Sequence, residues 1–155
     1  MCEQRKKFIA DKLQLMEERC KKNRLSLTVQ RRAILENLSS RTDHPTADQI
    51  YAAIQDRVSG IPRTTVYRVL ETFVQLGLAQ KISNPEAKAR FDADTRRHHH
   101  AICINCEEVT DIYSDALDSI PLPDTGPDFD VLDYSVNFTG LCRNCRGSLQ
   151  PVLIS

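Results

Sequence analysis

The sequence of 155 residues predicts an α+β fold, in which an N-terminal winged helix-turn-helix domain precedes a small α/β domain. Three observations lead to this fold class. Four amphipathic segments followed by two strand-like segments fill the first half of the chain. That half is basic, with 17 Lys and Arg against 10 Asp and Glu in residues 1–90, whereas residues 91–155 hold 4 against 11. Four of the six cysteines form two CxxC pairs in the acidic half.

Three amphipathic helices are predicted at the start of the chain. The first runs from Arg5 to about Lys22 and repeats apolar side chains at helical spacing. Thr28 is a suitable N-cap for the second helix, because its hydroxyl can accept a backbone N–H of the first turn. In the third helix, Thr46 and Gln49 have the spacing of a capping box.

A fourth helix, predicted over residues 64–76, has an apolar face and a polar face, and Gly77 is placed to end it. The segments "LAQKIS" and "ARFD" flank the turn "NPEAK" and predict a β-hairpin wing. In a winged helix-turn-helix, the polar face of such a helix meets the major groove of double-stranded DNA. An ordinary amphipathic helix would explain the apolar face equally well, but not the basic bias. The candidate DNA contacts are Thr65, Tyr67, Arg68 and, at the helix start, Arg63.

The two CxxC pairs have the spacing of a structural zinc site. Four thiolates leave no coordination position open, so such a site holds structure and performs no chemistry. The acidic half is short and its core is expected to be thin, which makes a metal staple physically sensible. The four predicted ligands are Cys103, Cys106, Cys142 and Cys145.

Nitrogen and oxygen donors gather just before the first CxxC pair. On a strand, His98 and His100 point to the same side and His99 points to the other. Imidazole and carboxylate ligands favour Fe(II), Mn(II) or another borderline divalent ion. The residues alone leave open a second metal site, a solvated loop and a structural histidine. The candidates are His44, Asp92, His98, His99, His100 and Asp111.

Four segments together resemble the ferric uptake regulator superfamily. They are "HPTADQIY", "TTVYRVLETFVQLGL", "ARFDADTRRHHHAICINC" and "GLCRNC", in the order and spacing of that family, and the resemblance extends from about residue 20 to residue 147. It implies a dimeric, metal-dependent transcriptional regulator, usually a repressor, that binds operator DNA. The implied domains are a DNA-binding domain over 1–88, a hinge over 89–95 and a dimerisation and metal-binding domain over 96–155.

The resemblance also implies roles for single positions. The four cysteines match the family's structural Zn(II) ligands. Tyr67 and Arg68 match residues used at DNA. Ser26 stands where many relatives have a lysine that reaches the minor groove, and Arg24 is the candidate to replace it. The implied ligands of a regulatory Fe(II) or Mn(II) are His44, Asp92, His98, His100 and Asp111.

The branch of the family depends on Asp111. Peroxide-sensing members typically have Asp at this position, whereas iron-uptake regulators more often have Glu. In the peroxide sensors, bound Fe(II) reacts with hydrogen peroxide and a ligand histidine is oxidised; His44 and His98 match the oxidised positions. The "TVYR" segment is closer to the iron- and zinc-uptake branches. The sequence therefore favours a peroxide sensor, with an iron-uptake regulator that uses Fe(II) as corepressor as the alternative and a zinc-uptake regulator as a third reading.

Other classes of function fit less of the chain. A zinc-dependent enzyme could use the histidines and aspartates, but no separate general base is apparent and the basic half would have no role. A zinc-built assembly module would leave His44, Asp92 and Asp111 unused. No apolar stretch has the length of a membrane span, and the N-terminus lacks a signal sequence. We therefore expect a cytoplasmic homodimer with no membrane partner and no small organic ligand.

Overall fold

The computed structural model describes residues 2–84 and 87–147 and divides into two compact units, Met1–Thr95 and Arg96–Ser155. Residues 85–86 in the turn of the predicted wing and residues 148–155 of the predicted C-terminal domain lie outside the described residues. The predicted hinge, residues 89–95, falls at the end of the first unit. The predicted domain boundaries at residues 88 and 96 remain predictions.

The first unit has four helices and a two-stranded antiparallel sheet, in the predicted order. Its core lies between the helices and the sheet and includes Met16, Ile34, Leu35, Ile50, Leu70, Phe73 and Phe91. Burial of each such side chain contributes roughly 1.5–3 kcal/mol to folding. The elements are α1 (Glu3–Lys22), α2 (Val29–Ser40), α3 (Ala47–Ile54), α4 (Arg63–Gln75), β1 (Gln80–Asn84) and β2 (Ala87–Asp92).

The predicted helix ends are observed. The hydroxyl of Thr28 accepts the backbone N–H of Arg31 at 3.2 Å and caps α2. Thr46 and Gln49 form both hydrogen bonds of the capping box at α3. Gly77, which follows α4, has a φ of 66°, a left-handed conformation that glycine adopts without steric cost. Local sequence therefore determines where these helices begin and end.

Lys12 connects the first helix to the end of the first unit. Its side chain is buried, and its ammonium donates to the carbonyl of Leu78 at 3.1 Å and to the hydroxyl of Thr95 at 3.2 Å. Burial lowers the pKa of Lys12, while Asp94 and Asp92 oppose that shift. Helix α1 is thus attached to the chain segment that leaves the wing.

The second unit is built on a three-stranded sheet with the order β4-β3-β5. Strands β3 and β4 are antiparallel, and β3 and β5 are parallel. Its buried apolar side chains within the described residues are few, among them Ile102 and Val109, so that the core is thin as expected. The elements are β3 (His99–Cys103), β4 (Val109–Ile112), α5 (Asp115–Asp118) and β5 (Asn137–Gly140).

The last strand is shorter than its sequence pattern predicts. The alternation of Leu132, Tyr134, Val136 and Phe138 indicates a strand through this whole stretch, but β5 begins only at Asn137. The register explains the difference, because Asn137 pairs with His100 and β3 itself begins at His99. The carbonyl of Val136 still accepts the backbone N–H of His100 at 3.3 Å, but residues before Val136 extend past the start of β3, and Leu132 is 86% exposed.

Taken together, the helices of the first unit and the small sheet of the second unit confirm the predicted α+β class. None of the described helices combines the length and the apolarity that a membrane span requires.

Candidate metal centres and DNA-facing helix

The two CxxC pairs meet because β3 and β5 run in parallel. Cys103 ends β3 and pairs with Gly140 at the end of β5, so the two CxxC segments leave the sheet at the same end. The sulfur atoms of Cys106 and Cys142 are 3.7 Å apart. Zn–S bonds of about 2.3 Å in a tetrahedron place sulfurs about 3.8 Å apart. All four sulfurs lie within 4.8 Å of one another, an arrangement that fits a four-thiolate zinc site.

Backbone N–H groups of the two CxxC segments also stabilise a thiolate. The N–H groups of Cys106 and then Cys142 lower the pKa of Cys103 to about 6. The Cys142 N–H donates to Sγ of Cys103 at 3.4 Å, and the side-chain amide of Asn105 donates to Sγ of Cys145 at 3.2 Å. Zinc binds the thiolate form of cysteine. These donors stabilise that form and therefore favour zinc binding.

In the first unit, the segment before α3 is held against strand β2. The N–H of Phe91 donates to the carbonyl of Pro45 at 3.0 Å, and Arg90 donates to the carbonyl of His44 at 3.0 Å. This places Nε2 of His44 3.7 Å from Oδ2 of Asp92. The φ of His44 is 49°, in the left-handed region that residues other than glycine adopt rarely. Such backbone strain is common at functional sites, where neighbouring contacts hold it.

In the second unit, His98, His100 and Asp111 converge. His100 pairs directly with Asp111 across β3 and β4. Oδ1 of Asp111 is 3.4 Å from Nε2 of His98 and 3.8 Å from Nε2 of His100. These distances exceed those of ordinary hydrogen bonds, but they suit ligand atoms that share one ion with bonds of about 2.0–2.2 Å. Two imidazoles and one carboxylate fit a borderline divalent ion such as Fe(II) or Mn(II).

A backbone hydrogen bond fixes the orientation of the His98 ring. Nδ1 of His98 lies 2.8 Å from the carbonyl oxygen of Arg96, and a carbonyl only accepts, so Nδ1 carries the proton. In the neutral ring, Nε2 then offers its lone pair on the side of Asp111. The ring of Tyr113 stacks on His98 with centroids 5.5 Å apart. A backbone acceptor on the second imidazole nitrogen is the usual support of a metal-binding histidine.

His99 faces the opposite side of β3, as strand alternation predicts. Its Nε2 is 3.1 Å from Oδ1 of Asp118, and its ring stacks on Tyr134 with centroids 6.3 Å apart. The guanidinium of Arg97 lies 4.4 Å from the centre of the Tyr134 ring, 3.8 Å from Asp118 and 3.4 Å from Asp133. These contacts attach α5 and the irregular segment before β5 to the sheet. His99 therefore has structural partners that are separate from His98, His100 and Asp111.

The predicted DNA contacts differ in exposure. On α4, Arg63, Tyr67 and Arg68 are exposed and Thr65 is half-buried. Arg24 is exposed just after α1 and has a φ of 55°, also left-handed. Their roles at DNA remain predictions.

Sequence reasoning missed an acidic residue beside these side chains. Oδ1 of Asp48 accepts the Tyr67 hydroxyl at 3.1 Å, and Oδ2 accepts the ammonium of Lys88 at 2.5 Å. Nε of Arg63 is 3.4 Å from Oδ1 of the same carboxylate. We call these four residues the Asp48 cluster. In the sequence, Asp48 reads only as a favourable acid in the first turn of α3, and no local signal connects it to α4 or to the wing.

Comparison with known proteins identifies the family. The model of the ferric uptake regulator family matches residues 22–138, more than half of the chain. This chain belongs to the ferric uptake regulator family. The ferric uptake regulator family consists of metal-dependent transcriptional regulators and not of enzymes, which confirms the regulator class that the sequence predicts.

Curated relatives within the family carry peroxide-related names. The chain is 34% identical over 121 residues to the peroxide-responsive repressor PerR of Staphylococcus epidermidis, covering 77% of this chain and 81% of the relative. It is 36% identical over 129 residues to the peroxide operon regulator of Bacillus subtilis, covering 83% and 89%.

Solved structures of the family have the same fold. The Helicobacter pylori ferric uptake regulator matches with a TM-score of 0.76 at 16% identity, over 92% of this chain and 96% of that chain, a likeness of fold alone. The Francisella tularensis ferric uptake regulator, solved with iron, matches with a TM-score of 0.65 at 25% identity, over 79% and 95%.

Proposed function

We propose that this chain is a cytoplasmic repressor that binds operator DNA as a metal-loaded homodimer and releases it in response to hydrogen peroxide. The observation that carries the metal requirement is the convergence of His98 and His100 on one oxygen of Asp111. The peroxide branch is supported by Asp111 itself and by relatives that are named peroxide-responsive repressor and peroxide operon regulator.

In this proposal, the regulatory metal joins the two halves of the chain. His44 and Asp92 belong to the first unit, whereas His98, His100 and Asp111 belong to the second. An ion held by ligands from both units would restrict the hinge over residues 89–95 and favour one arrangement of the DNA-binding domains. Without the ion, this arrangement is less populated, and apparent DNA affinity falls by the same fraction.

Fe(II) suits peroxide sensing because it can supply an electron to hydrogen peroxide. The residues of the chain then determine what is damaged. His44 and His98 are the candidates to gain one oxygen on the imidazole ring, and an oxidised ring is a poorer ligand. Loss of either ligand would release the restriction on the hinge and end repression.

Dimerisation is supported by the surface of the second unit. Strand β5 is an edge strand of its sheet, and several apolar side chains of the second unit are exposed within the described residues. A second copy of the chain could cover the sheet edge and these side chains, and so provide two recognition helices for a two-fold operator. The exposed side chains include Ile120, Leu122, Phe129, Leu132 and Phe138.

The proposal is tested with protein that carries structural zinc and is loaded with Fe(II) without oxygen. A duplex is first selected from a random pool by this protein, and substoichiometric hydrogen peroxide is then added. We expect loss of DNA binding together with a single added oxygen on the His44 or the His98 peptide in mass spectrometry. The Mn(II)-loaded protein is the control and should stay bound and unmodified.

The alternative is an iron-uptake regulator, which is favoured by the "TVYR" segment at Tyr67 and Arg68. That regulator would release DNA when iron is removed, and peroxide would leave its histidines unmodified. If no duplex is selected in a metal-dependent manner, the regulator proposal itself is wrong.

A further inference from the structure

We propose that Asp48 is a positioning residue that sets how well the protein distinguishes operator from other DNA. It does so by holding three donors of the DNA-facing surface at one carboxylate. The inference rests on the proposed function of DNA binding and assigns a specificity role to a residue that carries no donor of its own.

The Asp48 cluster connects three elements of the first unit. Asp48 lies in the first turn of α3, Arg63 and Tyr67 lie one turn apart on α4, and Lys88 lies on β2 of the wing. The carboxylate is therefore the shared acceptor of the recognition helix and the wing. Because Arg63 and Tyr67 lie on α4 and Lys88 lies on β2, the carboxylate fixes how the donors of the helix and the donor of the wing are placed relative to each other.

The carboxylate is ionised under ordinary conditions. The hydrogen bond from Lys88 and that from Tyr67 hold the pKa of Asp48 below its usual range. The helix N-terminus favours a negative charge at the same place. A carboxylate among two cations and a phenol resembles a phosphate group in charge and in acceptor geometry. It occupies the donors that a DNA phosphate would otherwise contact.

Two opposite effects on DNA binding follow. The side chains of Arg63 and Lys88 are well exposed, at 62% and 69%, so they can reach phosphates of any sequence. Phosphate contacts supply most of the non-specific affinity, which the paired carboxylate reduces. The hydroxyl of Tyr67 is meanwhile held in one direction, and a preoriented side chain contributes to recognition at lower entropic cost. Asp48 thereby lowers the affinity for arbitrary DNA and raises the affinity for the operator.

The test compares Asp48→Asn with the wild type on two duplexes, one selected from a random pool by the metal-loaded wild type and one scrambled duplex of equal composition. We expect the variant to bind the scrambled duplex about threefold more tightly, with a salt slope steeper by about 0.9 for each added phosphate contact. We expect the ratio of operator to scrambled affinity to fall about tenfold, within the range of one lost specific contact. Asp48→Glu should restore most of that ratio.

Two further variants separate positioning from general charge. Asp56→Asn removes the same charge at an exposed site of the first unit outside the cluster. It should leave the ratio unchanged, and an equal fall of the ratio in this variant would overturn the inference. Tyr67→Phe removes the held hydroxyl and should weaken operator binding without tightening binding to the scrambled duplex. Circular dichroism of each variant verifies that the fold is retained.

The outcomes also separate this inference from the proposed function. If the wild type discriminates between the duplexes and Asp48→Asn keeps the same ratio and salt slope, the inference is wrong and the regulator function stands. If the wild type shows no metal-dependent preference for any duplex, the regulator function fails and the inference fails with it.

Discussion

His100 lies directly opposite Asp111 in the antiparallel pair of β3 and β4, and its Nε2 is 3.8 Å from Oδ1 of that carboxylate. The cross-strand register thus places an imidazole and a carboxylate side by side without the help of any loop. His98 joins them from the same side of the chain at 3.4 Å. Because β3 and β4 hold His100 and Asp111, and His98 directly precedes β3, the second unit contributes a preformed part of the proposed regulatory site.

The first prediction concerns Asp111→Ala. We expect the affinity for Mn(II) to fall at least about tenfold, because a ligand is lost, and metal-dependent DNA binding to weaken in parallel. The free energy of unfolding should change by less than about 0.5 kcal/mol, since the side chain is partly exposed. Isothermal titration with Mn(II) and thermal unfolding measure the two effects. Asp115→Ala, an exposed acid nearby, should leave both unchanged.

The second prediction distinguishes the three consecutive histidines. His98→Ala and His100→Ala should each lower Mn(II) affinity at least about tenfold. His99→Ala should keep wild-type Mn(II) affinity but destabilise the fold by about 1–2 kcal/mol, because the hydrogen bond to Asp118 and the contact with Tyr134 are lost. Equal loss of Mn(II) affinity in all three variants would contradict the assignment of His99 to the other face.

The third prediction concerns Cys103→Ser. In small zinc proteins the metal contributes about 10–16 kcal/mol of apparent binding free energy, which is also folding free energy. With its thin core, the second unit should lose zinc and unfold, while the helices of the first unit remain. Zinc analysis and circular dichroism measure these effects. Cys2→Ser is the matched control, because Cys2 is exposed and far in sequence from the four predicted zinc ligands. A Cys103→Ser protein with full zinc content would show that the four cysteines do not form the zinc site.

The fourth prediction uses the left-handed backbone at Arg24. That conformation destabilises a residue with a Cβ by roughly 1–2 kcal/mol, and glycine relieves this strain. Part of the stabilisation is offset, because glycine also raises the conformational entropy of the unfolded chain. We expect Arg24→Gly to raise the free energy of unfolding by about 0.5–1 kcal/mol in denaturant titrations. If Arg24 contacts DNA, both Arg24→Gly and Arg24→Asn should weaken binding and lower its salt dependence. Normal DNA binding by both variants would remove Arg24 from the contact set.

Much of the first unit could be predicted from local sequence, because caps and glycines act on their own neighbours. Thr28, Thr46 and Gly77 mark helix ends in the sequence and in the structure alike. The alternation of His98, His99 and His100 likewise predicted which sides they face, since strand geometry has a fixed period. The spacing of the cysteines predicted their grouping, because a four-thiolate site has few possible spacings.

Features that depend on tertiary register could not be predicted in this way. The pattern through Leu132 and Tyr134 has the period of a strand, but no strand lies beside those residues to pair with them. The Asp48 cluster joins residues 40 positions apart, and a single acid in the first turn of a helix gives no sign of such partners. The same holds for the carbonyl of Arg96 behind His98, since a backbone atom has no signature in the sequence.

The alternation of side chains along β3 limits where residues can be inserted into the chain or deleted from it. The side chains alternate, so His98 and His100 face one side while Cys103 faces the other. An insertion or deletion of one residue between His100 and Cys103 would reverse the parity and turn one metal group away from its partners. Residues 120–136, which contain neither helix nor strand, impose no such rule. Length differences among relatives should therefore gather in that irregular stretch, and the spacing from His98 to Cys103 should stay at five.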